Sequence, residues 1–285
     1  MERITIHNLG QNNLAGYSEL ILKRFGNVTK ASKSYTVGAS KVSPAVYLYD
    51  DETPCYYLVQ LGGGLLAGEY YENHIRFEEG ARAILTTQAP SKVYKNEKNE
   101  ASKQYTKIEL EKYSILEYIN DSIILYKDAI YEQKTDIYLK AGATLVYVDG
   151  ITAGWSPDGK FFQYTSAKMR TKVYLEDSLI YSDNLRIVPS EYEVQDFGIL
   201  EGYKNFGTLL VIDSRINREI LKELRELVEA EKLDIKFGIS QLETSGFIMR
   251  VLGNLTQDIQ KASEVVYNYI RKVLLNSEDL DLRKL

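Results

Sequence analysis

Leu61-Gly62-Gly63-Gly64-Leu65-Leu66-Ala67-Gly68-Glu69 leads into Tyr70-Tyr71-Glu72, and the chain continues to Gly80-Ala81-Arg82 and to Thr86-Thr87-Gln88-Ala89-Pro90-Ser91-Lys92-Val93-Tyr94. Four of the 19 glycines stand between residues 62 and 68, a density that points to positive φ or to a close neighbour. Two phosphate-binding patterns come near to fitting. Gly62-x-Gly64-x-x-Ala67 follows a strand candidate, as a dinucleotide fingerprint does, but that motif must then open a helix whose N-terminus meets the pyrophosphate. Here Tyr71, Ile75 and Phe77 alternate with Glu72, His74, Arg76 and Glu78. A period of two is a strand with one face in a core. Gly63-x4-Gly68 has Walker spacing, yet Glu69 stands at the lysine position, where a carboxylate repels phosphate. The glycines therefore read as a bulged β-corner, with Glu69 a strand-start carboxylate that bonds to backbone amides.

An echo lies downstream. Phe77-Glu78-Glu79-Gly80-Ala81 is matched by Leu139-Lys140-Ala141-Gly142-Ala143, each preceded and followed by an alternating segment. In that register Ile75 matches Ile137, Leu85 matches Tyr147, and Thr87 matches Asp149, as in a repeated strand-turn-strand unit. Strand patterns also cover 17–35, 45–49, 55–60, 104–111, 114–119 and most of 161–188, with turn chemistry at 50–54 and a hairpin at Glu176-Asp177-Ser178. Lys92, Lys95, Lys98, Lys103 and Lys107, interleaved with Glu97 and Glu100, read as a solvated edge.

The pattern changes near residue 205. Gly207 to Asp213 is a buried strand, and Ser214 is placed to cap a helix with the stripe Ile216, Ile220, Leu224, Leu227 and Val228. Two more strands precede a second helix, from Thr256, carrying Ile259, Ala262, Val266, Ile270 and Val273. The expected organisation is a β-rich body over 1–204, opening on a polar arm at 1–16, then an α+β segment (β-α-β-β-α) over 205–275 packed on it, and a charged, mobile tail over 276–285.

The bulk numbers exclude several classes. With 285 residues, 44% hydrophobic and 26% charged, the chain reads as a soluble globular protein able to bury a core without staples. Its net charge of -5 argues against nucleic acid. One cysteine, Cys55, forbids an internal disulfide, and no signal peptide or membrane-length run is present, which points to the cytoplasm. The oddity is 23 Tyr against 8 Phe and 1 Trp, which suits amphipathic strands or a protein-protein surface.

A stable transition-metal site is poorly supplied by His7, His74 and Cys55, with no Cys-x-x-Cys, His-x-His or His-Glu-x-x-His. Carboxylates such as Glu69, Glu72, Asp128 and Asp149, with hydroxyls and water, suit only a weak, transient cation path. No nucleophile triad is signposted, and nothing brings Glu69 and Asp149 together for acid-base work.

The run from Gly62 to Glu69, then Gly80-Ala81-Arg82, then Thr86-Thr87-Gln88-Ala89 with Lys92 and Tyr94, resembles the signature of the urease accessory proteins UreD, also called UreH. The family's glycine run normally ends in Gly-Asp; here it ends in Gly68-Glu69. Ala141 to Asp149 with Gly154, the hairpin Val173 to Asp183, and Met249 to Gly253 extend the resemblance over nearly the whole chain. Asn120-Asp121-Ser122, where the family has a proline-rich turn, and the tyrosine load depart from it.

The resemblance implies a mainly β, layered, helicoidal body with two helices and a non-enzymatic maturation factor. Its implied partners are UreF, through it the GTPase UreG, and apo-urease, with room for a dimer within the accessory complex. Its implied cargo is nickel in transit, with no tightly bound cofactor, along an internal polar tunnel. Matching tunnel-associated positions are Glu69, Thr87, Ser91 and Asp149; Gly62, Gly63, Gly64, Gly68, Gly80 and Gly142 are the structural corners. Two other readings are a tyrosine-rich β-protein binding a carbohydrate or peptide, marked by tyrosines on one exposed face without a buried polar channel, and a hydrolase in which Glu69 and Asp149 converge.

Overall fold

The computed structural model describes residues 13–48, 52–244, 246–282 and 284. The arm up to residue 12 with His7, the last residue of the strand expected at 45–49, and residues 50–51 of the expected turn lie outside them. The chain opens with β1 (Leu14–Phe25), β2 (Val28–Gly38), β3 (Ser40–Val42), β4 (Val46–Tyr47) and β5 (Pro54–Gln60). Around the glycine corner follow β6 (Tyr70–Phe77), β7 (Arg82–Thr87) and β8 (Lys92–Val93). Next come β9 (Ser102–Leu110), β10 (Ile115–Ile119) and β11 (Ile124–Leu125), then β12 (Ile130–Leu139) and β13 (Thr144–Ile151). The chain closes with β14 (Ser166–Leu175), β15 (Ser178–Ile187), β16 (Asn205–Ile212), α1 (Arg218–Ala230), β17 (Ile235–Gln241), β18 (Gly246–Gly253) and α2 (Thr256–Leu275).

The architecture is mainly β and layered, as the sequence leads one to expect. Among the described residues, one seven-stranded sheet runs β15-β14-β12-β9-β6-β1-β2, and a nine-stranded sheet runs β17-β18-β16-β13-β10-β7-β5-β3 with β4 on β5. β6, β9 and β12 are parallel neighbours in the first sheet, and β7, β10 and β13 are parallel neighbours in the second. Parallel strands need a crossover. Here each crossover is a strand of the other sheet, so the chain winds in stacked coils.

In-register pairing stacks like on like. Ile75, Ile108, Ile137 and Val173 form one rung; Phe77, Leu110, Leu139 and Leu175 form the next. They face Ala83, Leu116 and Leu145, and Leu85, Tyr118 and Tyr147, of the second sheet across a shared core. Ile108, Ile137 and Val173 are wholly buried, each worth about 1.5–3 kcal/mol relative to exposure.

The strand-turn-strand unit occurs three times, because β9–β10 has the same form as β6–β7 and β12–β13. The middle copy escapes the sequence pattern because Tyr113 stands where Gly80 and Gly142 stand in the others. All three take positive φ: 66° at Gly80, 58° at Tyr113 and 79° at Gly142. The Tyr113 ring lies over Gly142, with its nearest carbon 2.7 Å from where a Cβ on Gly142 would sit.

The two helices cover the outer face of the nine-stranded sheet, burying Ile220, Leu224, Val228, Val266 and Ile270 against Val211, Met249 and Val251. The helix cap expected at Ser214 is instead Asn217, whose side chain accepts from the amides of Glu219 and Ile220. Residue 214 lies in a turn held by Asp213, which accepts from the Arg215 amide at 2.8 Å. The expected stripes are otherwise buried, Ile216, Ile220, Leu224 and Val228 in the first and Ile259, Ala262, Val266 and Ile270 in α2; only Leu227 and Val273 are exposed, and Leu221 and Leu274 are buried instead.

Two expectations about organisation change. β16 pairs with β13, so the sheet runs straight across the boundary placed at 204/205. The tail is packed as far as the described residues reach: Leu280 is 2% exposed and sits in the helix-side core. Its apolar positions, Leu280 and Leu282, are what the charge-dominated reading of this segment overlooked.

Gly142→Ala is expected to lower unfolding free energy by about 2–4 kcal/mol, combining positive-φ strain with displacement of the Tyr113 ring. Gly26→Ala, at φ 62° but with nothing within 4 Å, is expected to lose only about 1 kcal/mol. Urea titration of both variants checks the contrast.

Candidate functional site

The inner rungs change character along the strands. Beyond the isoleucine rung of the seven-stranded sheet lies Asn73-Thr106-Thr135-Thr171, and beyond that Tyr71-Gln104-Gln133-Met169. On the facing sheet, Thr86, Ile119 and Val148 pair across β7, β10 and β13, so the next positions, Thr87, Asn120 and Asp149, are equivalent. The space between these polar rungs is not filled. A cavity of about 310 Å³ opens at the glycine corner, lined by Gly63, Gly64, Lys92, Thr87 and Ser91 among others. It shares Thr87, Ser91, Gln104 and Tyr118 with a second cavity of about 30 Å³ between the sheets. That one shares Asn120, Asp121 and Asp149 with a third, about 260 Å³, beneath α2. A further pocket of about 30 Å³ branches at Tyr147 and Asp149 towards Asp183.

Thr87, Ser91 and Asp149 thus meet in one cavity. Thr87 Oγ1 donates to Asp121 Oδ2 at 2.8 Å and accepts from the Asp121 amide at 3.1 Å. Asp149 Oδ2 accepts from Gln133 Nε2 at 2.6 Å and from the Tyr147 hydroxyl at 2.8 Å, and Oδ1 accepts from the Gly150 amide at 2.8 Å. Gln133 is itself oriented by Tyr131, whose hydroxyl donates to Oε1 at 3.0 Å. Burial raises the Asp149 pKa, against the opposing hydrogen bonds from Tyr147, Gly150 and Gln133. Burial also drives the Tyr118 and Tyr147 hydroxyls up, so both stay protonated donors.

Glu69 does not join them. Its Oε2 accepts from the Leu66 amide at 2.8 Å and from the Tyr71 hydroxyl at 3.2 Å, and it lines none of these cavities. It ties off the glycine corner. That corner is stitched to β8 by Leu65 N to Lys92 O at 2.8 Å, and a Cβ on Gly64 would lie 2.5 Å from the same carbonyl oxygen. Gly62, Gly63, Gly64 and Gly68 all have positive φ there. Glu72 is also elsewhere, bonded to His74 at 2.6 Å, and His74 sits edge-on to Tyr17 and Tyr105. The His74 hydrogen bond lowers the Glu72 pKa. Asp128 lines none of the cavities in this series. Among the described residues no group of three or more His, Cys, Asp or Glu is placed to hold a metal ion.

Sequence reasoning missed Gln104, Asn120, Asp121 and Gln133. Recognising β9–β10 as the middle copy would have put Asn120 between Thr87 and Asp149.

Fold and site together define a β-layered protein with a series of polar cavities between its two sheets. The chain belongs to the family described as UreD urease accessory protein, whose sequence profile matches residues 15–284. It is 36% identical over 259 residues to the urease accessory protein UreD of Lachnoclostridium phytofermentans, covering 91% of this chain and 94% of that one. It is 34% identical to the UreD of Ureaplasma parvum, covering 92% and 97% of the two chains. The UreD of Streptococcus thermophilus matches at 34% over 94% and 96%. The family's role is in urease maturation. No helix among the described residues is long and apolar enough to cross a membrane.

Because the folded Asp149 carboxyl has a raised pKa, its contribution to stability is greatest below the unfolded value and is lost as pH rises through the folded one. Asp149→Asn removes that dependence. The stability of wild type minus variant is expected to fall from pH 4 to pH 7, as read by urea denaturation at each pH.

Proposed function

We propose that this chain is a scaffold that joins apo-urease to UreF, and through UreF to UreG, and that nickel destined for urease moves along the polar passage. The observation that carries this reading is that Thr87, Ser91 and Asp149, distant in sequence, line one cavity that shares wall residues with a larger one on each side. The lining offers hydroxyls, amides and isolated carboxylates. Oxygen groups and water hold a divalent transition metal far less tightly than thiolates and imidazoles do, which suits a cargo that must be released. Asp149 supplies charge at the junction, with Gln133 and Tyr147 fixing its orientation, while Glu69 holds the entrance corner in shape. The tyrosine-rich binding reading fits less well, since Tyr118 and Tyr147 line the buried passage. One buried thiol, Cys55, suits a reducing compartment, and we place this work in the cytoplasm.

Reconstitution with purified apo-urease, UreF, UreG and limiting nickel tests the reading. Thr87→Val with Asp149→Ala is expected to lower urease activation about tenfold or more while capture of apo-urease and UreF is unchanged. Full activation by the double variant would remove the passage from the proposal. Failure of the wild-type chain to capture either protein would remove the scaffold.

A further inference from the structure

Beyond α2 the chain doubles back. Asn276 takes the left-handed conformation at φ 49°, and the Ser277 amide donates to Arg271 O at 3.0 Å. The residues that follow are tied down in order along the helix and across the sheet. Arg271 Nε donates to Glu278 O at 2.7 Å, the Leu280 amide to Asn268 Oδ1 at 2.7 Å, and the Tyr57 hydroxyl to Leu282 O at 2.7 Å. The last described contact is Lys284 Nζ to Asp121 Oδ2 at 2.8 Å, between side chains 21% and 8% exposed. Asp121 is the residue that holds Thr87, and Leu280, Leu282 and Lys284 all line the 260 Å³ cavity with Asp121 and Asp149.

We propose that this C-terminal strap is a closure over the helix-side end of the passage, latched by the Lys284–Asp121 ion pair, and that cargo crosses at that end only when the strap lifts. The second half rests on the nickel reading above; the first does not. The Lys284–Asp121 pair keeps partial access to solvent, so added salt screens it and weakens the latch. The latch is a single side-chain contact, while the anchors at Arg271 and Asn268 hold the strap separately on α2. Release of Lys284 frees the Asp121 carboxylate and uncovers the cavity without disturbing α2.

The only cysteine in the sequence reports on the strap. Cys55 is wholly buried in the helix-side core that holds Leu280, close enough to Lys284 to sense its charge, and burial pushes its thiol up to about 12. Reaction of the full chain with a disulfide reagent at pH 8 should be slow in the wild type and about tenfold faster in Lys284→Ala. Lys284→Arg should restore slow reaction, and Lys222→Ala, whose partner Glu226 lies on the exposed face of α1, should leave it unchanged. Added KCl should speed the wild type and not Lys284→Ala. Equal rates for wild type and Lys284→Ala, or no response of the wild type to KCl, would overturn the closure. In the reconstitution, Lys284→Ala should reach half-maximal urease activation at a lower NiCl2 concentration. Faster labelling with an unchanged nickel requirement would overturn the claim that cargo crosses here, while Asp149→Ala reports on the passage independently.

Discussion

In-register parallel pairing of successive coils is the constraint on which the structure depends. Once β6, β9 and β12 stack residue over residue, the character of one position is imposed on its neighbours in space, and a polar group among apolar ones would be stranded without a partner. The chain meets this by matching β9 to β12: isoleucine over isoleucine, threonine over threonine, glutamine over glutamine. Cavities then arise where polar rungs of the two sheets face each other, because hydroxyls and amides leave room and seek water or one another. Asp149 is tolerated there because three donors meet its oxygens.

A second interaction fixes the helical layer to this stack. Glu117, on the middle coil, points to the helix side, where Arg271 of α2 meets it at 2.5 Å and Arg82 approaches at 3.4 Å. Glu117 and Arg271 are both fully buried. Removing one partner of such a pair leaves an uncompensated charge, a loss of about 3–5 kcal/mol, whereas the intact pair adds little stability over an apolar one. What the pair supplies is position. Arg82 reaches on to Ser277 at 2.7 Å and Arg271 to Glu278, so the same network that seats α2 also starts the return of the chain.

The mainly β class, both helices and the correspondence of Thr87 with Asp149 were legible because they rest on local periodicity and on two glycine corners, whereas the layering was implied by the family resemblance alone. The middle coil was not, since Tyr113 accepts a positive φ that pattern reading reserves for glycine. With that coil hidden, Asn120 and Asp121 looked like a loop that departs from a family turn, when they line two of the cavities. Glu69 misled in the opposite way. Its place after the glycines marks a corner, and its short reach to the Leu66 amide leaves it outside the cavities. The tail misled because charge dominates its composition, although two leucines suffice to seat it. Side-chain partners across 34 to 163 residues, such as Thr87 with Asp121 and Asp121 with Lys284, leave no trace in spacing.

Thr87, Asn120 and Asp149 sit on adjacent strands of one sheet, and adjacent strands are held about 4.8 Å apart by their backbone hydrogen bonds. The wall of the cavity they line is therefore ruled like a scale. Its oxygen-bearing groups recur at a pitch set by the peptide ladder, not by loop conformation or side-chain chance. A substitution can change what stands at a graduation, but it cannot move the graduations closer together or further apart.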